Sequence, residues 1–153
     1  ARGALGQTGS GGNVAVELMG SSFPCLPGRE PSGNRRVGYG RIINTASQLA
    51  YKGAPGFTAY TAAKGAILSF TRSVALEIGA RNITINCVAP GATRTPILDD
   101  VPAEVLEEIR KAIPLGRIAD VDDIAPSFVF LASDAGRHFQ GQCISPNGGD
   151  VFL

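Results

Sequence analysis

Three consecutive segments constrain the fold most: residues 41–45 form a short apolar run, residues 57–78 carry apolar side chains three and four apart, and residues 82–88 return to a short apolar run. A brief run without polar alternation suits a strand covered on both faces, while the 3.6-residue period of the middle segment suits a helix with one buried stripe. Strand, helix and strand in that order predict an α/β fold with a parallel sheet and flanking helices. The expected stripe on the 57–78 helix is Ala63, Ile67, Phe70, Val74 and Ile78, with Gly79 as its stop. Leu68 and Leu76 lie outside the stripe and offer either further core or a face for association.

Beyond residue 88, Pro90-Gly91 ends the second strand, and residues 102–113 read as an amphipathic helix with Val105, Leu106 and Ile109 on one side. Asp120 is placed to cap a helix over 121–133, where Asp122 and Asp123 meet the favourable N-terminal dipole. A last strand is expected at 142–145. Pro126 and Pro146 each remove a backbone donor from these elements.

Residues 1–40 differ in kind, holding ten of the chain's twenty glycines together with Pro24, Pro27 and Pro31. No helix or strand of ordinary length reads cleanly there. The chain therefore divides into an atypical Gly/Pro-rich segment, 1–40, and an ordered α/β part, 41–153. A formal charge of +1 with both signs interspersed gives no basic stripe, so neither nucleic acid nor a membrane surface is expected as a partner. Cys25, Cys87 and Cys143 are an odd, widely spaced set, and His138 is the only histidine. Such a set predicts reduced thiols in a cytoplasmic protein and no metal site. His138 has no partner at a recognisable spacing and is expected to be a structural or surface histidine rather than a catalytic one.

The candidate chemistry centres on Tyr60 and Lys64, which four-residue spacing places one turn apart on one helix face. A cation a few ångströms from a phenol favours its ionised form, so the pair can move a proton. Ser47, at the end of the first strand, is a candidate second donor to the same substrate oxygen, or else a hydroxyl that caps the next turn.

The runs Arg41-Ile42-Ile43-Asn44-Thr45-Ala46-Ser47, Ala59-Tyr60-Thr61-Ala62-Ala63-Lys64-Gly65, Ile83-Thr84-Ile85-Asn86-Cys87-Val88-Ala89-Pro90-Gly91 and Asn147-Gly148-Gly149 together resemble the short-chain dehydrogenase/reductase family. The resemblance extends from about residue 39 to 153 and is strongest to the branch of ketoacyl reductases and secondary-alcohol dehydrogenases. It implies a Rossmann-type sheet whose N-terminal nucleotide-binding half is largely missing, with NAD or NADP as cofactor and a small carbonyl or alcohol as substrate. Ser47, Tyr60 and Lys64 become the catalytic residues. Tyr60 and Lys64, with Pro90, Gly91, Thr93 and Thr95, become the cofactor-binding residues, and residues 95–114 the substrate lid, where Ile97, Leu98 and Val101 suggest an apolar ligand. It also implies a homodimer or homotetramer, or a hetero-oligomer with a full-length relative.

The departures fall at the start of the chain. Thr8-Gly9-Ser10-Gly11-Gly12 lacks the apolar strand that a pyrophosphate-binding turn follows. A competing alignment puts residues 14–25 on the helix before the first strand, with Glu17 where the family carries an asparagine; glutamate has no amide to donate. The expected alternatives to an enzyme are accordingly a catalytically silent remnant acting through its helix 57–78, or an incomplete gene product.

Overall fold

The computed structural model describes residues 40–152. The readings for residues 1–39, including the glycine turn, Glu17 and Cys25, lie outside them. Three strands, β1 (Gly40–Thr45), β2 (Ile83–Val88) and β3 (Cys143–Ile144), form a parallel sheet in the order β1-β2-β3. Gly40 pairs with Ile83 and Thr45 with Val88 along the first ladder, and Cys87 pairs with Cys143 along the second. Between the strands lie α1 (Leu49–Lys52), α2 (Thr58–Ile78), α3 (Ala103–Ala112) and α4 (Val121–Ala132).

Helices cover both faces of the sheet, which is why the strands read as apolar runs. Ile67 and Leu68 of α2 pack with Ala46, Cys87 and Ala89 on one face. On the other, Ile124 and Leu131 of α4 pack with Ile43 and Val88, and Phe130 meets Phe139 edge to face. Successive residues of β2 therefore point to opposite layers.

The stripe expected on α2 is rotated. Ala63 and Ile67 are buried, but so are Lys64, Leu68, Thr71 and Ala75, while Phe70 is 47% exposed and Val74 and Ile78 are only partly covered. Two polar side chains fit inside because they are paired: Asn44 Nδ2 donates to Thr71 Oγ1 at 2.9 Å, and Lys64 reaches the end of β1. A buried amide whose acceptor is removed keeps its desolvation penalty. Thr71→Val, which conserves shape, is thus expected to lower stability by about 1–3 kcal/mol, read from the urea midpoint at unchanged slope.

The ends of α2 and α4 differ in how closely they match expectation. α2 ends at Ile78 with Gly79 as its C-cap, as expected, but Gly79 keeps a right-handed conformation and opens a 3-10 turn, Gly79–Arg81, after which Asn82 takes the left-handed conformation at φ 58°. Asp120 does cap α4, in a reciprocal box: its side chain accepts from the Asp123 amide, and the Asp123 carboxylate accepts from the Asp120 amide. Pro126 lies inside α4, and β3 is confined to two residues, shorter than the 142–145 expected. The four-residue α1 carries no apolar period and was not foreseen.

Candidate active site

Ser47, Pro90-Gly91 and Asn147 each follow the carboxyl end of a different strand, so three connections converge at one end of the sheet. This is where open α/β sheets bind ligands. Tyr60 occupies the first turn of α2 and Lys64 the second. Lys64 is 7% exposed, its Nζ donates to the Thr45 carbonyl at 3.2 Å, and the same nitrogen stands 5.7 Å from the Tyr60 ring centroid. The ammonium is thus held between the first strand and the phenol. Phe57 meets the Tyr60 ring edge to face at 6.3 Å and covers its outer side.

Ser47 is 8% exposed, and its Oγ accepts a hydrogen bond from the Leu49 amide at 3.2 Å. The turn-capping reading of this serine is therefore present in the geometry. Because Oγ is the acceptor there, the hydroxyl proton is not used in that bond. Capping and donation are compatible.

Gly91 lies where β1, β2 and the segment after β3 come closest. Its amide donates to the Pro146 carbonyl at 3.1 Å, and a Cβ there would stand 2.8 Å from Asn147 Cα. No side chain fits in that space. Thr93 Oγ1 donates to the Gly91 carbonyl, and Thr93 pairs with Ala119 in an isolated bridge, so the loop holding Pro90, Gly91 and Thr93 is stitched to the segment before α4. Thr95 stands further along, lining a cavity of about 400 Å³ with Leu98, Val101 and Leu106. Tyr60, Lys64 and Ser47 are not among the residues that line it.

Sequence reasoning missed the polar bracket around Ser47. Gln48 Nε2 donates to Asp150 at 2.7 Å and Lys52 Nζ to the same carboxylate at 2.6 Å, tying α1 to a segment far along the chain. Gln48 Oε1 is buried with no hydrogen-bond partner and lies against the Gly91 position. Only the pairing of residues distant in sequence creates this bracket. Asn147 holds the same end together by donating to Ser145 Oγ and the Val151 carbonyl.

Helix α3 carries its own clamp. Arg110 binds Glu107 through two nitrogens, each at 2.7 Å, and donates to the Gly116 carbonyl. The guanidinium holds the Glu107 carboxyl down at about 2. Because this is below the carboxyl's ordinary value of 4.5, its contribution is full above that value and disappears as pH falls toward about 2. The thermal midpoint of the parent should therefore exceed that of Glu107→Gln by an amount that shrinks through this window and with added salt; a pH-independent difference would contradict it.

Among the described residues, His138 is exposed, no cluster of metal-ligating side chains is gathered, and no helix is long and apolar enough to cross a membrane.

A fold of this type, with these motifs at the ends of its parallel strands, defines the class, and comparison with known proteins supplies the family. The family model described as enoyl-(acyl carrier protein) reductase matches residues 21–150. The chain belongs to the short-chain dehydrogenase/reductase family. It is 44% identical over 127 residues to a glucose and ribitol dehydrogenase homolog of Oryza sativa subsp. japonica, covering 80% of this chain and 41% of the relative. With the 3-oxoacyl-(acyl-carrier-protein) reductase of Chlamydia trachomatis it shares 39% identity over 110 residues, 72% of this chain and 44% of that one. Among solved structures it is similar to the promiscuous reductase LugOII, described as catalysing keto-reduction at C1 during lugdunomycin biosynthesis, with TM-score 0.67, 33% identity and coverage of 74% and 45%. The chain spans about half the length of the relatives it matches.

Proposed function

We propose that this chain carries the proton-transfer site of an oxidoreductase that interconverts a ketone and a secondary alcohol with NAD or NADP. The observation that carries the reading is the buried Lys64 ammonium, fixed to the Thr45 carbonyl and set 5.7 Å from the Tyr60 ring, with Ser47 two residues beyond that carbonyl. A cation and hydroxyls match the ribose hydroxyls of a nicotinamide nucleotide, and the Pro90-Gly91 backbone with Thr93 offers polar groups for a carboxamide, while Thr95 lines the cavity beside α3. When bound, the nicotinamide supplies or accepts the hydride.

The chain's own residues handle the proton. Tyr60 gives its hydroxyl proton to the substrate oxygen as the attached carbon is reduced, and recovers it in the reverse direction. Lys64 holds its positive charge beside the ring on which the phenolate forms. Ser47 keeps its proton, donates a hydrogen bond to the same oxygen and fixes the carbonyl's orientation. Titration of the full chain with NADH and NADPH, followed by fluorescence and calorimetry, tests the reading. Saturable binding supports it, and no binding at millimolar nucleotide removes the claim that this polypeptide is itself an enzyme.

A second reading is favoured by α2, where Leu76 is 90% exposed and Phe70 half-exposed. Exposed apolar side chains that form a patch can mark a surface on which another chain packs. In this reading α2 joins a second copy or a full-length relative, with or without catalysis. Co-expression with such a relative and size-exclusion chromatography separates the readings, since failure to co-elute excludes the hetero-oligomer.

A further inference from the structure

We propose that Cys87 and Cys143 form a two-thiol modification site at which a hydroperoxide drives formation of a disulfide between neighbouring parallel strands. The two residues stand directly opposite each other in the β2–β3 ladder. Adjacent strands lie about 4.7–4.9 Å apart, within the roughly 4.4–6.8 Å between Cα atoms that a disulfide spans. Residues paired in register share a face of the sheet, and both cysteines pack on the α2 face, Cys87 among Ile67 and Leu68 and Cys143 at the margin of that cluster. Both thiols are free; Cys87 is buried and Cys143 is half-buried on the short third strand.

The surroundings give the two sulfurs different tasks. The neighbouring Cys87 thiol, the Tyr51 hydroxyl and the Arg72 guanidinium outweigh burial and hold the Cys143 thiol below the ordinary range, while the Cys87 thiol donates a hydrogen bond to the Gln142 carbonyl at 3.7 Å. The contact with Cys143, reinforced by burial, pushes Cys87 up, so it keeps its proton. Thiolates rather than thiols attack peroxides. Cys143 therefore attacks one peroxide oxygen; the O–O bond breaks, the departing hydroxide becomes water on taking a proton, and Cys143 is left as sulfenic acid. The Cys87 sulfur then displaces that oxygen, which leaves as a second water carrying the Cys87 proton. Two thiols are oxidised, one peroxide is reduced, and one S–S bond forms. The alternative, two cysteines serving only as small apolar side chains, accounts for the packing but predicts no selective link between them on oxidation.

The test uses the full chain treated with hydrogen peroxide, blocked with iodoacetamide and digested with trypsin without reduction. Peptide 82–94, which carries Cys87, should be recovered joined to peptide 138–153, which carries Cys143, and the link should vanish with dithiothreitol. The Cys25 peptide should remain alkylated. In urea the selective link should be replaced by a mixture that includes Cys25. Cys87→Ala should leave Cys143 as a sulfenic acid trapped by dimedone. Recovery of Cys87 and Cys143 as separate peptides after oxidation, or the same link at the same yield in urea, overturns the proposal. The peptide map of the parent chain decides the matter even if Cys87→Ala does not fold.

Discussion

Turnover in Tyr60→Phe is expected to fall by about 10²–10⁴, the range supplied by a positioned general acid, while affinity for the nicotinamide nucleotide stays near that of the parent. Phenylalanine keeps the ring that meets Phe57 and lies 5.7 Å from the Lys64 nitrogen, so only the transferable proton is removed. Steady-state rates on a small ketone, paired with nucleotide titration of the same variant, separate the two quantities. Equal losses of rate and nucleotide affinity would assign Tyr60 to binding rather than to proton transfer. Lys64→Met is a less informative variant, because it also breaks the bond to Thr45 that fixes α2 against β1.

The second large effect concerns Gly148 and is read against Gly116. Both have φ near +70°, where an L side chain costs about 1–2 kcal/mol. A Cβ at Gly116 meets nothing within 4 Å, whereas one at Gly148 would lie 2.6 Å from Ile113 Cγ2. Gly116→Ala should therefore show the backbone penalty alone, and Gly148→Ala that penalty plus overpacking of about 1–3 kcal/mol. Ile113 follows α3, and the Leu115 amide donates to the Gly148 carbonyl, so the clash would push α3 away from the segment after β3. Chemical denaturation of both variants measures the difference; equal losses would mean that Ile113 yields without strain.

These contrasts show which parts of the molecule were legible in its sequence. β1, β2 and the Asp120 cap follow from local rules, since an apolar run and an aspartate before a helix state their roles within a few residues. The buried face of α2 did not follow, because apolarity marks Phe70 for the core and Thr71 for solvent, whereas the hydrogen bond from Asn44 draws Thr71 inside. The left-handed residue falls at Asn82, after the 3-10 turn that Gly79 opens, and β2 begins one residue later. The Tyr60–Lys64 spacing was legible because a helix repeats every 3.6 residues. The bracket of Gln48, Lys52 and Asp150 was not, since nothing local pairs an amide with a carboxylate a hundred positions away. For the same reason, Cys87 and Cys143 read as isolated thiols until the sheet register placed them together.

The Gln48–Asp150 hydrogen bond joins residues 102 positions apart. Closing a flexible loop of that length costs about 4 kcal/mol of chain entropy beyond the length-independent part, and contacts of such high sequence separation slow folding. Helix α2 needs no such closure and can nucleate early, presenting its tyrosine and lysine on a scaffold that does not yet exist. The bracket beside Ser47 therefore depends on a span of 102 residues being closed, whereas the helix that carries Tyr60 and Lys64 is local in sequence.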